Sequence, residues 1–468
     1  MRLVCSALVL VFSLFSWVAE ALDFKLPAYQ KLKFDNGLQV FLMPQKEVPL
    51  VHFTVAVQGG STLDPENLQG LMSLTAEALK LGSKNYKKDQ IEQRLDFLGA
   101  ELESSVRADL TSIELSAAAK DVGTLIPLLA DLVTAPSFPE SEIIKLKERT
   151  ISELKKAKES PRQLADQYFA KWVFAPHPYG RSLRGSTLSV SRSKRADFVA
   201  LHKQNFRPER MAISVAGDFD PTSMEKTLRQ AFGNWKPQES SGESVALAVP
   251  DPKPQSEPRV LLVNKSDATE TTFRIGGLGV PRNHQDWIAL QVINTILGGR
   301  FTSLLNEALR IKSGLTYGAW ARFEGMRTSG SFAMGSFTAS ENSFKAIDLA
   351  LETYKNFLAD GFDQKALDSA KAYVKGQFPP RYETLESLSQ AMLDIWAYQL
   401  PDQAINGFAA QVDALTLEKS RELIKSYFPA KNLSIVLIGK SADLFQGAQK
   451  YGRVTQSDVD RIDEAKLF

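Results

Sequence analysis

Apolar positions in the first half of the chain follow two rhythms. Residues 38–42 and 51–57 are compact apolar runs, and 102–106 with 113–117 alternate apolar and polar positions. These predict two strands and a hairpin. Residues 68–81, 89–98, 141–158 and 163–173 carry the spacing of helices, and Gly99 stands where a left-handed residue closes the second of them. Strands and helices come in blocks, without strict alternation, which predicts an α+β fold.

The pattern then repeats. Phe206 begins FRPERMAISVAG and Phe428 begins FPAKNLSIVLIG; without gaps Met211 falls on Leu433, Ile213 on Ile435, Val215 on Leu437 and Gly217 on Gly439. The strand-like VHFTVAVQGG from Val51 has a counterpart in TTFRIGGLG from Thr271, and each is followed by a helical stretch, 68–81 and 287–297. An offset of roughly 220 residues marks a duplicated domain, because solenoid repeats have periods of about 20–50. Between the copies, residues 236–258 are rich in Pro, Ser and Glu and read as a linker, with a long surface loop as the alternative. The organisation expected is therefore 22–235, a linker at 236–258, and 259–468.

The first 21 residues stand apart. A basic start at Arg2, an apolar run at 3–18 and the ending Ala19-Glu20-Ala21 read as a cleaved secretory signal. An uncleaved anchor is the alternative, although the run is somewhat short for a span of about 20 residues. The single cysteine, Cys5, would leave with the signal, and a cysteine-free chain suits an oxidising space such as the periplasm. A periplasmic or secreted location is expected, with no membrane association after cleavage.

The 468 residues hold 56 Lys+Arg against 54 Asp+Glu, and this balance gives no electrostatic footprint for nucleic acid. One cysteine excludes both a disulfide framework and a cysteine zinc site. There is no G-x-S-x-G elbow and no Walker-type phosphate loop; Gly298-Gly299 reads as a helix stop. No two of the four histidines, His52, His177, His202 and His284, lie three or four residues apart, so isolated structural or surface roles are expected. The mixed charges from Lys145 to Ser160 read as a solvated helix face.

Several phrases, in their order and spacing, resemble the pitrilysin/insulinase family of zinc metallopeptidases. They are NGLQVFL from Asn36, GLMSLTAEAL from Gly70, HPYG from His177, VAGDFD from Val215 and LGGRFTSLLNEALRIKSGLTYG from Leu297. The resemblance runs from about Leu32 to Gly439. It implies two homologous domains, each a mostly antiparallel sheet with packed helices. In the family, H-x-x-E-H on a helix holds zinc and supplies a general base, and a later helix adds a Glu. The matching pentapeptide here is Ser73-Leu74-Thr75-Ala76-Glu77, and the later position falls at Glu153. Both histidines are absent, and Ala76 stands at the base position. A hydroxyl and two carboxylates suit zinc poorly, since it favours imidazole and thiolate. The chain alone should neither bind zinc nor hydrolyse peptides by the family mechanism.

The resemblance also implies an Arg and a Tyr from the second half that contact bound peptide, here Arg310 and Tyr317, with Gly314 permitting a turn from a helix ending near Lys312 into a strand through Tyr317. Such donors stabilise charge developing on a scissile carbonyl. An ordinary surface Arg and a core Tyr are the alternative. Single-chain family members enclose peptide with four such domains; two here imply a dimer in which a zinc-bearing partner supplies the metal. The other reading is a non-catalytic scaffold or peptide-binding subunit of a larger assembly.

Overall fold

The computed structural model describes residues 24–236 and 249–461. The signal-like segment with Cys5, linker residues 237–248 and residues 462–468 lie outside the described residues.

Two six-stranded sheets form the frame. The first contains β1 (Gln30–Lys33), β2 (Gln39–Pro44), β3 (Leu50–Gln58), β4 (Glu101–Val106), β5 (Leu110–Ala118) and β6 (Met211–Gly217), in the order β1-β2-β6-β3-β5-β4. The second contains β7 (Arg259–Asn264), β8 (Glu270–Gly279), β9 (Ala319–Gly325), β10 (Gly330–Ala339), β11 (Ser434–Gly439) and β12 (Arg453–Asp458), in the order β12-β7-β11-β8-β10-β9. Both sheets are mixed. β2–β6, β7–β11 and β7–β12 are parallel, and the remaining pairs antiparallel. The duplication is plain in the topology: β6 and β11 hold the same place, as do β3 and β8. The outermost strand differs, being β1 from the chain's beginning in one sheet and β12 from its end in the other.

The central strands are apolar at nearly every position because both faces of each sheet are covered. Val40 and Leu42 of β2, Phe53 and Val55 of β3 and Ile213 and Val215 of β6 join a core with helices of their own half, Val122–Thr134 among them. The intervening Phe41, Met43, Ala56, Ala212 and Ala216 turn the other way, onto a core shared with the second half. That face is covered by Leu385–Ala397, a helix of the second half, through Leu388, Met392 and Trp396. The exchange is reciprocal. Pro161–Phe174, a helix of the first half, lays Leu164, Tyr168, Phe169 and Trp172 on Leu261 and Val263 of β7 and Val436 and Ile438 of β11. Burying apolar side chains contributes roughly 1.5–3 kcal/mol each, so this crossing binds the halves strongly.

Polar contacts thread the crossing. Thr54 Oγ1 and Ser389 Oγ are 2.9 Å apart, and His52, 3% exposed, places its ring nitrogens 2.9 Å from Ser116 Oγ and 3.1 Å from Thr54 Oγ1. Arg274 of β8, 5% exposed, donates to Asp166 Oδ1 at 2.7 Å.

Candidate functional site

The helix Leu71–Ala78 carries the pentapeptide that corresponds to the family's metal motif. Gly70, at φ 87°, turns the chain into it, and the buried Asp64 carboxylate accepts hydrogen bonds at 2.7 Å from the backbone N–H groups of Gly70 and Met72. A side-chain oxygen on each of these otherwise orphaned donors fixes the start of the helix. Leu71, Met72, Leu74, Thr75, Ala76 and Ala78 are buried, which leaves Ser73 and Glu77, four apart, on the outward face. Ala76, at the base position, carries no acid–base group.

Glu153 approaches from the helix Glu140–Ala157, and two arginines fill the space between the carboxylates. Arg149, one turn before Glu153, puts Nη2 3.5 Å from Glu77 Oε2 and Nε 3.8 Å from Glu153 Oε1. Arg184, in the loop after the HPYG segment, ion-pairs with Glu153, and Lys80 lies 3.3 Å from Glu77. The Ser73 hydroxyl donates to the carbonyl of Leu183 at 2.5 Å. Every position that could face a zinc ion is thus engaged, and two guanidinium groups stand where a divalent cation would need negative charge. The donor set does not fit zinc. Among the described residues no group of three or more His, Cys, Asp or Glu converges into a metal site.

Beside this cluster runs a groove. β4 is the edge of its sheet, so one side of its backbone is unpaired. Leu102, Ser104 and Val106 are half-buried, while Glu101, Glu103 and Ser105 are exposed. Ser104 and Val106 line a cavity of about 440 Å³ with Glu77, Arg149, Glu153 and Arg184. Ala100 and Leu102 line its neighbour of about 660 Å³, which shares Glu77, Leu146 and Arg149. At the other end, Leu183 and Arg184 also border a chamber of about 600 Å³ between the halves. An extended peptide laid along β4 would find main-chain donors and acceptors on one side and these hollows for its side chains.

Arg310 and Tyr317 lie elsewhere, lining none of these three cavities. Arg310 sits in the π-helical turn Glu307–Lys312 with its guanidinium 4.7 Å from the Phe301 ring centroid. Gly314, at φ 64°, makes the turn as expected. The strand, however, begins at Ala319, so Tyr317 stands in the loop before it. It is no core tyrosine either, being 81% exposed with its ring stacked on Phe337 at 6.3 Å. The structure therefore brings Ser73, Glu77 and Glu153 together and leaves Arg310 and Tyr317 apart from them.

Sequence reasoning missed Arg149 and Arg184. The charged residues of 145–160 are largely exposed, as a solvated face requires, and Arg149 and Glu153 among them also border the groove. Their four-residue spacing was the available signal. The histidines have local duties. His177 Nε2 lies 2.6 Å from the Pro250 carbonyl, and His202 Nε2 lies 2.8 Å from that of Val133. Burial lowers the His202 pKa to about 4, so it is neutral in ordinary buffers.

Comparison with known families agrees with the duplicated fold. Residues 40–187 match the insulinase family, peptidase family M16, and residues 193–374 match the peptidase M16 inactive domain. The chain belongs to the insulinase family. Among its M16 relatives, the non-peptidase homolog YmxG of Helicobacter pylori is 24% identical over 395 residues, covering 84% of this chain and 89% of that protein. The uncharacterized zinc protease YmxG of Bacillus subtilis is 21% identical over 416 residues, 87% of this chain and 98% of the other. A crystal structure titled as a peptidase M16 inactive domain from Pseudomonas fluorescens superposes with a TM-score of 0.81 at 24% identity, over 88% of this chain and 98% of that one. As an M16 chain, this one has both domains of the insulinase pattern and no H-x-x-E-H sequence.

Proposed function

We propose that this M16 chain is a peptide-binding subunit that does not hydrolyse peptides itself and works beside a zinc-bearing member of the same family. The observation that carries the reading is the groove along the free edge of β4. It keeps the shape of a peptide site, while its metal-facing positions are spent on Arg149, Arg184 and the Leu183 carbonyl. The name of the Helicobacter pylori relative, a non-peptidase homolog, supports the absence of hydrolysis.

In this reading Arg310 and Tyr317 act toward the partner. Both are exposed, and a permanently charged guanidinium with an exposed phenol offers donors to a carbonyl held at another subunit's metal. The partner supplies zinc and the general base; this chain supplies peptide contacts. The chain reaches the periplasm or the exterior when the segment ending at Ala21 is removed.

The test is co-purification from the native source, then a peptidase assay on each chain alone and on the mixture, with and without a chelator. Activity is expected only in the mixture, sensitive to the chelator and reduced on the order of 100-fold by Arg310→Ala. Turnover by this chain alone would overturn the reading. An inert mixture whose only behaviour is joint assembly would favour the scaffold role.

A further inference from the structure

The chamber between the halves has an uneven charge. Its lining contains Arg107, Arg181, Arg184 and Arg322 against Asp166 and Glu324 only, a formal excess of two positive charges. The rest is largely apolar, with Leu164, Phe169, Phe174 and Met326 among the contacts. Its volume, about 600 Å³, lies in the range of cavities that enclose a small ligand or a few side chains.

Three of the arginines have carboxylate partners, those of Arg107 and Arg184 outside the lining and that of Arg322, Asp166, within it. Arg107 Nη1 donates to Asp394 Oδ1 at 3.2 Å, Arg322 Nη2 lies 3.2 Å from Asp166 Oδ1, and Arg184 pairs with Glu153. Arg181 donates from Nη1 to the carbonyls of Thr62 and Asp64, at 3.2 and 2.7 Å, and has no carboxylate at ion-pair distance among the described residues. A guanidinium carries five N–H donors, so each of the four retains donors for a bound carboxylate. Asp394 and Glu153 do not line the chamber; they position arginines that do.

We infer that the chamber selects acidic-apolar peptide segments, in which carboxylates lie beside bulky apolar side chains. The inference rests on the peptide-binding reading and adds a substrate class to it. Carboxylates meet the arginine fork, apolar side chains meet Phe169, Phe174 and Met326, and lysine-rich segments are repelled.

The test is fluorescence anisotropy on the full chain with short labelled peptides of alternating Glu/Leu, Ser/Leu and Lys/Leu. Glu/Leu is expected to bind at least about tenfold more tightly than Lys/Leu, with Ser/Leu between. The preference should shrink when salt rises from about 0.15 to about 1 M. Arg184→Glu and Arg322→Glu should each abolish most of it, and Arg184→Lys should retain most of it. The half-exposed Arg184 makes its reversal compatible with folding, and the salt series needs no variant. Equal or tighter binding of Lys/Leu, or reversals without effect, would overturn the selectivity while leaving peptide binding in place. Failure of all three peptides to bind would overturn the peptide-binding reading as well.

Discussion

The Tyr179 hydroxyl donates to Oδ1 of Asp109 at 3.1 Å, and this first-half pair together holds the tip of a second-half hairpin. Asp109 lies in the turn between β4 and β5. Its other oxygen accepts the backbone N–H of Arg327, at 2.8 Å, from the turn between β9 and β10. The backbone N–H of Thr328 donates in turn to the Tyr179 oxygen at 3.1 Å. Burial raises the Asp109 pKa, and the Arg327 contacts oppose the rise.

Tyr179→Phe removes one hydroxyl from this knot and should cost about 1–2 kcal/mol of stability. Asp109→Ala leaves both the phenol and the Arg327 N–H without their acceptor and should cost more, about 2–3 kcal/mol. Urea unfolding of the full chain checks the order. Equal stability of all three proteins would show that the hairpin tips do not hold the halves together.

Arg149 reaches Glu77 and Glu153 at once, which determines what is needed to restore a metal site. Ser73→His with Glu77→His would recreate a two-imidazole, one-carboxylate set with Glu153, the composition of a catalytic zinc centre. With Arg149 and Arg184 in place, the double variant should still hold well under one zinc per chain. Adding Arg149→Leu should raise zinc toward equimolar, as read by metal analysis after dialysis. Equimolar zinc in the double variant alone would mean that the arginines are no barrier.

Much of this was legible beforehand because it rests on short-range patterns. The helix Lys88–Leu98 ends at Gly99 with φ 59°, as the glycine indicated, and Trp287–Leu297 has the bounds its periodicity gave. The equivalence of β6 and β11 followed from the gapless match of Met211–Gly217 with 433–439. What stayed hidden depends on the fold bringing distant segments together. Apolar residues at 164, 168, 169 and 172 announce a buried helix, yet nothing local says that it covers the other half's sheet. Arg184 lies 31 residues from the Glu153 it pairs with. Ser73 was recognisable as a missing ligand, but its bond to Leu183 required the loop to be seen folded over the helix.

Asp64 gives a pH signature of known sign. It is 3% exposed, and desolvation raises its pKa to about 7 against the opposing pull of the Met72 and Gly70 N–H groups and Arg181. A carboxyl whose pKa is higher folded than unfolded binds more protons in the native state, so stability falls as pH rises between the two values. The chain should therefore lose stability from pH 4 to 7 through this group, by at most roughly 4 kcal/mol at about 1.36 kcal/mol per unit. Asp64→Asn lowers stability overall but should flatten that slope. A slope unchanged in the variant, measured by urea unfolding at several pH values, would remove Asp64 as its source.

Gly70 and Gly185 meet back to back where the helix of Ser73 and Glu77 touches the loop of Leu183 and Arg184. Both have positive φ, 87° and 74°. A Cβ on Gly70 would lie 2.5 Å from Gly185 N, and one on Gly185 would lie 2.2 Å from the Gln69 carbonyl oxygen. Neither neighbour is the free end of a side chain, so the backbone itself would have to move. Strain of this kind costs about 1–3 kcal/mol per site before any clash is counted. Gly70→Ala and Gly185→Ala should therefore each destabilise the chain by more than about 2 kcal/mol. They should also part the loop from the helix, breaking the Ser73–Leu183 and Arg184–Glu153 contacts together. Hydrogen exchange of residues 181–186 reads the second effect separately from global stability. Faster exchange there, at pH and denaturant levels where the sheets stay protected, is the expected result; unchanged protection would show that the two glycines are not what seats the loop on the helix.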